Sequence, residues 1–531
     1  MRFSALAEPV VDTSAAKATW LSSRKWSKEQ LAIFKWFETK RKKAITHLVV
    51  RARAGTGKTT TLLACVDFAW ESSILVTSFS GRITKELQRR LKSPKAVAQG
   101  LHSLGNSFVT EQWGAHKVDK WARGKGVTAQ VCTATKGDRP AKYAIVPFEV
   151  QKLITKLHEK GRELKPHATT PAELEELLYR FDCDLDPQVF GPQHELWQNA
   201  FILDMAVKAM AHAAEGMTDG CIDFADMIFL PLRNAWVRPK FDLVICDEAQ
   251  DTSEPQLELA MKACNGRFCL FGDNRQAIFA FRGADSHALD RLKQTLSADE
   301  LGLKTTYRCA QAIVRLAQEF VPDIVAAKTN PEGEIRVANA LPLENWLHEA
   351  TPGDFILSRL NAPLTSFALK LLKRGVRARV AGKDLGAGLT TLVKTLATKS
   401  RDLSQFAVNL RTWQLAQVDY ARSQDRADKV ERINDQVEML MAVVESAEDL
   451  NDLLDRITVL FVDEDEDHPD TVICSSIHKA KGLETDRVFV YLPSFKFKGQ
   501  EEENIEYVAI TRAKSTLVLV GAKPEPTKGW A

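Results

Sequence analysis

Two short stretches carry side chains arranged for chemistry on a phosphate. The first is Ala52-Arg53-Ala54-Gly55-Thr56-Gly57-Lys58-Thr59-Thr60, which follows the apolar run His47–Ala52. Gly55 and Gly57 permit backbone conformations that turn several N–H groups inward onto one phosphate. The helical pattern that follows, Thr61–Ala69, adds the positive end of a helix dipole. Lys58 can reach the outer phosphates of a nucleoside triphosphate, and the Thr59 hydroxyl can enter the shell of a Mg²⁺ ion. This is a P-loop, with Ala52 where the broadest pattern has its first glycine. Ala54, Gly55, Thr56, Gly57, Lys58, Thr59 and Thr60 are expected to bind the phosphates of ATP. The second stretch, Asp247-Glu248-Ala249-Gln250-Asp251, ends the apolar run Phe241–Cys246. There Asp247 would hold the Mg²⁺ shell with Thr59, and Glu248 would orient and deprotonate an attacking water. Two adjacent carboxylates after a strand are common on surfaces; behind a P-loop they are specific.

These residues need a scaffold, and the rest of the chain supplies its pattern. Further apolar runs lie at Ile74–Phe79, Phe268–Phe271, Phe355–Ser358, Val376–Ala381, Val472–Ser475, Val488–Leu492 and Leu517–Val520, with helical stretches between them. Rich in Val, Ile and Phe and without strict alternation, they read as strands buried on both faces of parallel sheets. Two sets of runs imply two α/β lobes. Residues 110–215 are largely helical in pattern, as in Pro171–Phe181 and His194–Ala214. Residues 400–460 are helical too, with a charge-laced stretch at Ala421–Glu445, and Asp463–Asp467 reads as an exposed loop.

The chain has 531 residues, enough for several folded units at about 150 residues each. Apolar residues at 45% and charged residues at 27% exclude disordered, collagen-like and mucin-like classes. No run approaches the roughly 18 apolar residues of a membrane helix, and Glu8 and Pro9 interrupt the start before any signal-peptide core. A cytoplasmic setting without membrane contact is expected. The nine cysteines form no CxxC pair, so buried reduced thiols are expected, with no disulfide and no metal–sulfur site. The net charge of +3 hides an asymmetry: residues 81–125 carry ten basic and three acidic side chains, whereas 386–470 carry nine basic and eighteen acidic ones. The basic stretch suits either a solvated surface or contact with phosphates. Trp113 and Trp121 within it read as helix packing.

With DEAQD beside the P-loop, the chain resembles the superfamily 1 helicases of the UvrD/Rep type, and further motifs follow in that family's order. Ser27-Lys28-Glu29-Gln30 resembles the adenine-reading Q motif, with Gln30 as the reader. Ser78-Phe79-Ser80 and Leu101-His102-Ser103-Leu104-Gly105 resemble strand-contacting motifs. Gly272 to Ala284 (GDNRQAIFAFRGA) matches the coupling motif, in which Gln276 would sense the γ-phosphate while Phe279, Phe281 and Arg282 face DNA. Thr306-Tyr307-Arg308 resembles the segment whose tyrosine stacks on adenine and whose arginine touches the γ-phosphate. Ser476 to Glu484 (SIHKAKGLE) resembles the motif joining DNA backbone to nucleotide sugar, giving His478 to DNA and Glu484 to the nucleotide. Tyr507 to Lys514 (YVAITRAK) resembles the terminal motif, with Arg512 as a second phosphate-contacting arginine. Read as residues alone, Phe79, Phe279 and Phe281 fit either base contact or a core. His102 and His478 fit either structural hydrogen bonding or DNA contact. Three departures stand out. Glu503-Asn504 replace a usual Arg pair, Phe279 and Phe281 replace Tyr and Trp, and the second insertion is about half the family's usual length.

The resemblance implies two RecA-like parallel-sheet motor domains, each interrupted by a mainly helical insertion. The expected division is an N-terminal extension (1–22), a first motor domain (23–109 and 216–290) with insertion 110–215, and a second motor domain (291–385 and 471–531) with the short acidic insertion 386–470. It also implies ATP hydrolysis with Mg²⁺ at the cleft between the motors, driving 3′→5′ travel on single-stranded DNA and unwinding of tailed duplexes. Lys58, Asp247, Glu248, Gln276, Arg308 and Arg512 would carry the chemistry. The charge-laced stretch of the acidic insertion suits a solvated surface or the basic face of a protein partner, and its negative balance argues against a large DNA footprint. A rival expectation is a regulatory ATPase that senses DNA and controls a partner nuclease, since the sequence runs only to Ala531 after its last apolar run and holds no nuclease domain of its own.

Overall fold

The computed structural model describes residues 24–39, 45–78, 80–119, 122–138, 145–185, 197–217, 220–279, 288–462, 470–496 and 499–523, with Thr19 and Ser22. These fall into two compact units. The first takes the residues up to Asp184, then Gln198–Asn274 and 288–305; the second takes Leu185, Trp197, Arg275–Phe279 and the residues from Thr306 onward.

The first unit is built on a six-stranded sheet of β1 (Leu48–Ala52), β2 (Ile74–Ser78), β3 (Ala96–Ala98), β4 (Phe241–Asp247), β5 (Cys264–Gly272) and β6 (Asp299–Leu303). The order is β3-β2-β4-β5-β1-β6, and every pairing is parallel. The central strands are apolar because both faces are covered. On one face Ile33, Phe34 and Phe37 of helix α1 (Lys28–Glu38) pack with Leu62, Leu63 and Val66 of α2 (Lys58–Phe68). On the other, Leu104 and Phe108 of α3 (Leu101–Trp113) pack with Leu257 and Ala260. Trp113 stacks edge-on against Trp236 at 5.1 Å, a packing role, while Trp121 lies outside the described residues.

Helices α4 (Ala122–Ala134), α5 (Phe148–Leu164), α6 (Pro171–Arg180) and α7 (Asn199–Glu215) follow, and α8 (Phe224–Arg233) leads back to the sheet. They enclose a buried charge network. Arg162 donates to Asp223 (3.0 and 2.7 Å) and Asp226 (2.5 Å), and Arg123 donates to Asp226 at 2.9 Å. His158, fully buried beside them, contacts Thr128 Oγ1 and Gly124 O through Nε2, while its Nδ1 has no hydrogen-bond partner.

The second unit has a seven-stranded sheet: β7 (Glu334–Ala338), β8 (Phe355–Ser358), β9 (Ala378–Ala381), β10 (Phe461–Val462), β11 (Val472–Ser476), β12 (Thr485–Tyr491) and β13 (Ala513–Val520). Its order is β7-β13-β12-β8-β11-β9-β10, again all parallel. Two parallel α/β sheets are the architecture expected of the sequence.

The acidic helical region departs from its sequence reading. Ala421–Glu445 is not one helix: α9 (Leu403–Ser423) ends in a turn with Asp425 at φ 53°, and α10 (Ala427–Val444) starts afresh. Nor is this region only a solvated surface. Phe406, Leu410, Val437, Leu440, Val443, Leu453 and Ile457 share one core with Ile356, Val380 and Cys474 of the sheet. The Asp435 carboxylate accepts from the Asn361 and Ala362 backbone N–H groups at 2.8–3.1 Å, at the start of the helix Asn361–Lys373. Glu431 pairs with Arg359 (3.0 Å) and Lys496 (2.9 Å). Part of the acidic surplus therefore turns inward. The loop Asp463–Asp467 lies outside the described residues. Seven of the nine cysteines are buried, and all nine are free. Among the described residues no helix is long and apolar enough to cross a membrane.

Candidate active site

At the end of β1 the chain enters the loop Arg53–Gly57, with Gly55 at φ 70° and Gly57 at φ 76°. Both angles are in the left-handed region that glycine adopts without cost. Thr56 Oγ1 ties the loop by donating to Arg53 O at 2.9 Å. Gly57 caps α2 with no side-chain bond, so the helix start is left to a ligand's acceptors. Ala54 is buried within the loop, and Thr60 accepts from Arg90 at 2.9 Å.

Strand β4 delivers its carboxylates onto this loop. Lys58 Nζ lies 3.1 Å from Asp247 Oδ1 and is also ion-paired with Glu248. Thr59 Oγ1 donates to Asp247 Oδ2 at 3.3 Å. Burial opposes the Lys58 charge, but the two carboxylates outweigh it and hold its pKa above the ordinary value. Burial pushes the Asp247 carboxyl up, against the pull of Lys58. The hydroxyl of Thr59 and the carboxylate of Asp247 are hard oxygen donors side by side, which fits Mg²⁺. Gln30 stands next to the loop: its side chain accepts from Ser27 N at 3.0 Å in a capping box and donates to Thr61 Oγ1 at 2.9 Å.

Two neighbours of this cluster lie inside the quoted stretches, but their partners do not show in the sequence. Arg53 donates to Asp273 Oδ1 at 2.9 Å and Asn274 Oδ1 at 3.3 Å. Gln250, fully buried, links Glu248 to the backbone of Asp273. Gly272 was the available clue, because a Cβ there would stand 2.5 Å from Gln250 Oε1.

In the second unit Arg308, Glu484 and Arg512 come together. Arg308 is ion-paired with Glu484 and donates to Thr511 O at 3.4 Å. Arg512 is only 1% exposed and donates to Val508 O (2.9 Å) and Leu483 O (3.1 Å). Burial, and then the neighbouring Arg308, pushes its pKa down to about 10. Tyr307 is exposed beside them. The segment Arg275–Phe279 is held in the same unit. Lys481 donates to Gln276 O at 2.5 Å, Asn504 donates to Ala277 O at 3.1 Å, and Glu503 lies 3.5 Å from Arg275. The Glu503-Asn504 departure thus has a local use. Phe279 lies 6.2 Å from the His478 ring, with the Lys481 ammonium 5.1 Å from its centroid. His102, in the first unit, packs edge-on against Phe224 at 6.1 Å, and burial lowers its pKa. Phe79, Phe281 and Arg282 lie outside the described residues.

A P-loop and a strand-end carboxylate pair on a parallel α/β sheet are the marks of a P-loop nucleoside triphosphatase. Residues 37–297 match the UvrD/REP helicase N-terminal domain and residues 372–523 match the UvrD-like helicase C-terminal domain. The chain belongs to the UvrD/Rep-like helicase family. It is 24% identical to F-box DNA helicase protein 1 of Schizosaccharomyces pombe over 53% of this chain and 34% of that protein. It is 21% identical to DNA helicase II of Haemophilus influenzae over 89% of this chain and 81% of the relative. It is 19% identical to Gabija protein GajB of Bacillus cereus over 89% and 92% respectively. The match thus spans about a third of the fission-yeast relative's length.

Proposed function

We propose that the chain is an ATP-dependent DNA helicase that moves along single-stranded DNA, in the 3′→5′ sense the family resemblance implies, and opens tailed duplexes. The observation that carries this reading is the convergence of Lys58, Thr59, Asp247 and Glu248 in one cradle, in a chain of this family. On this reading Lys58 neutralises the outer phosphates, and Thr59 with Asp247 holds Mg²⁺, which when bound draws charge off the phosphates. Glu248 accepts the proton of the attacking water. Arg308, Arg512 and Gln276 serve as phosphate-sensing groups, and Gln30, Tyr307 and Glu484 receive the nucleoside. The Phe279, His478 and Lys481 cluster supports contact with bases and phosphates, because an aromatic face and a cation bind any base sequence. His102 would contribute from the first unit.

The test is strand displacement and ATP turnover on 3′-tailed, 5′-tailed and blunt DNA, with Lys58→Ala as control. ATP-dependent opening of the 3′-tailed duplex, lost in Lys58→Ala, is the expected result. No opening of any tailed duplex by a protein that hydrolyses ATP would sink the helicase reading. That result would favour a second one, a DNA-sensing regulatory ATPase that controls a partner nuclease. The alignment over 92% of Gabija protein GajB lends it support. The acid side chains of the second insertion that remain exposed, such as Asp425 and Asp428, suit a basic protein partner. A cytoplasmic location accords with either reading.

A further inference from the structure

The loops after β4 and β5 are joined by one buried amide. Gln250 Nε2 donates to Glu248 Oε2 at 2.6 Å, with Asp251 Oδ2 farther off at 3.5 Å. Gln250 Oε1 accepts from the backbone N–H of Asp273 at 3.1 Å. The approach needs residue 272 to lack a side chain, as the 2.5 Å clash of a Cβ there demonstrates. Asp273 accepts from Arg53 of the P-loop. The chain then runs directly into Arg275–Phe279, which carries Gln276 and Phe279 and groups with the second unit.

A carboxylate that is to take a proton from water must be held by something other than its substrate. In this structure Lys58 pairs with Glu248 Oε1 and Gln250 with Oε2. Nucleotide phosphates would draw the Lys58 ammonium toward themselves, and the Gln250 bond would persist. An amide is suited to this, because it donates to the carboxylate without titrating and without adding charge.

We propose that Gln250 is a positioning residue for ATP hydrolysis, holding the Glu248 carboxylate in one orientation and tying that orientation to the Asp273–Gln276 loop. The proposal rests on the ATPase reading above. In the step it serves, a water oxygen bonds to the γ-phosphorus as the bond to the bridging oxygen breaks and ADP leaves. The water proton passes to Glu248, and Gln250 neither gains nor loses one.

The experiment measures ATP turnover by the full chain, with and without oligo-dT, for Gln250→Met and Gln250→Glu, with thermal melts alongside. Gln250→Met keeps the length and removes donor and acceptor. It should lower kcat about tenfold or more and shrink the stimulation by oligo-dT, with KM for ATP within about twofold. Gln250→Glu keeps the shape but sets a second carboxylate against Glu248, so the pair must share a proton and the acid limb of the kcat–pH profile should move up by about one unit or more. A purely structural residue would lower kcat only together with Tm and would leave that limb in place. A folded Gln250→Met with kcat within about twofold of the unmutated protein, or a Gln250→Glu whose acid limb does not move, overturns the proposal. If Gln250→Met does not fold, the Gln250→Glu profile decides. A lack of ATP hydrolysis in the unmutated chain would overturn the ATPase reading itself, and this proposal with it.

Discussion

Glu248 sits at φ 50° and ψ 42°, a conformation that costs a non-glycine residue of order 1 kcal/mol or more. Strain at that position is tolerated because β4 and the short turn Ala249–Asp251 fix the backbone on either side. Glu248→Gln keeps the shape and loses the base, so ATP should still bind while turnover falls by a factor of about 10² or more. Rapid-quench hydrolysis with a parallel nucleotide-binding titration would check it, and an unmutated rate would remove Glu248 from the chemistry. Phe279 offers a second test. Stacking is worth about 1–3 kcal/mol per base, so Phe279→Ala should weaken single-strand binding roughly tenfold by anisotropy titration. Unchanged affinity would return the ring to a packing role. At this scale the sequence shows which side chains the fold brings together where a motif fixes residue type and spacing, as in Lys58, Thr59, Asp247 and Glu248. It does not show the partners themselves: Gln250 with Asp273, Arg53 with Asp273 and Asn274, and Arg308 with Glu484 are pairs from distant parts of the chain.

Helices and strands follow a different logic. The central strands are legible because burial on both faces forces continuous apolar runs; the run Phe355–Ser358 has the bounds of its strand. Edge strand β6 is not legible in the sequence because Asp299-Glu300-Leu301-Gly302-Leu303 is only partly buried and carries two carboxylates, paired with Trp36, Arg51 and Lys293, where an apolar run would stand. The break at Asp425 is not legible because a charged residue at positive φ has no strong sequence signature. Within the helical insertion of the first unit, the environment of His158 gives a pH prediction. Burial first, then the Arg162 charge, pushes its pKa down to about 3, with Arg123 acting in the same direction and Asp223 against. The folded-state pKa is below the unfolded one, so the unfolded chain binds the extra proton and stability falls as pH drops below about 6.5. By pH 5 this amounts to about 2 kcal/mol. Urea melts of the protein and of His158→Gln at pH 7.5 and 5.0 would measure it. The difference between the two pH values should shrink by about that amount in the variant, and an equal difference in both proteins would dismiss the histidine.

For the molecule as a whole, the second insertion is part of the fold it interrupts. Replacing residues 400–460 by a short Gly/Ser linker would be harmless for a solvated appendage. Here it would strip Phe406, Leu410, Val437, Leu440, Val443, Leu453 and Ile457 from a core shared with the sheet. At about 1.5–3 kcal/mol each, that loss matches or exceeds the 5–15 kcal/mol net stability of a typical domain. The expected outcome is loss of the cooperative melting transition of the second unit, and a deletion protein that melts normally would refute the shared core. A milder probe is Asp435→Ala, which removes the carboxylate capping Asn361–Lys373 and should cost about 1 kcal/mol in a denaturant melt.

The nine free thiols turn this architecture into a reporter of its own integrity. Seven are shielded from solvent, and burial raises the pKa of Cys65, Cys246, Cys269 and Cys474, which leaves them almost wholly protonated at neutral pH. A maleimide applied to the native protein should therefore add first at Cys221 and more slowly at Cys264, whose pKa burial also raises, and intact-mass spectra should show up to nine adducts only after denaturation. Counting adducts against time would then distinguish a variant that has lost chemistry from one that has lost its shape.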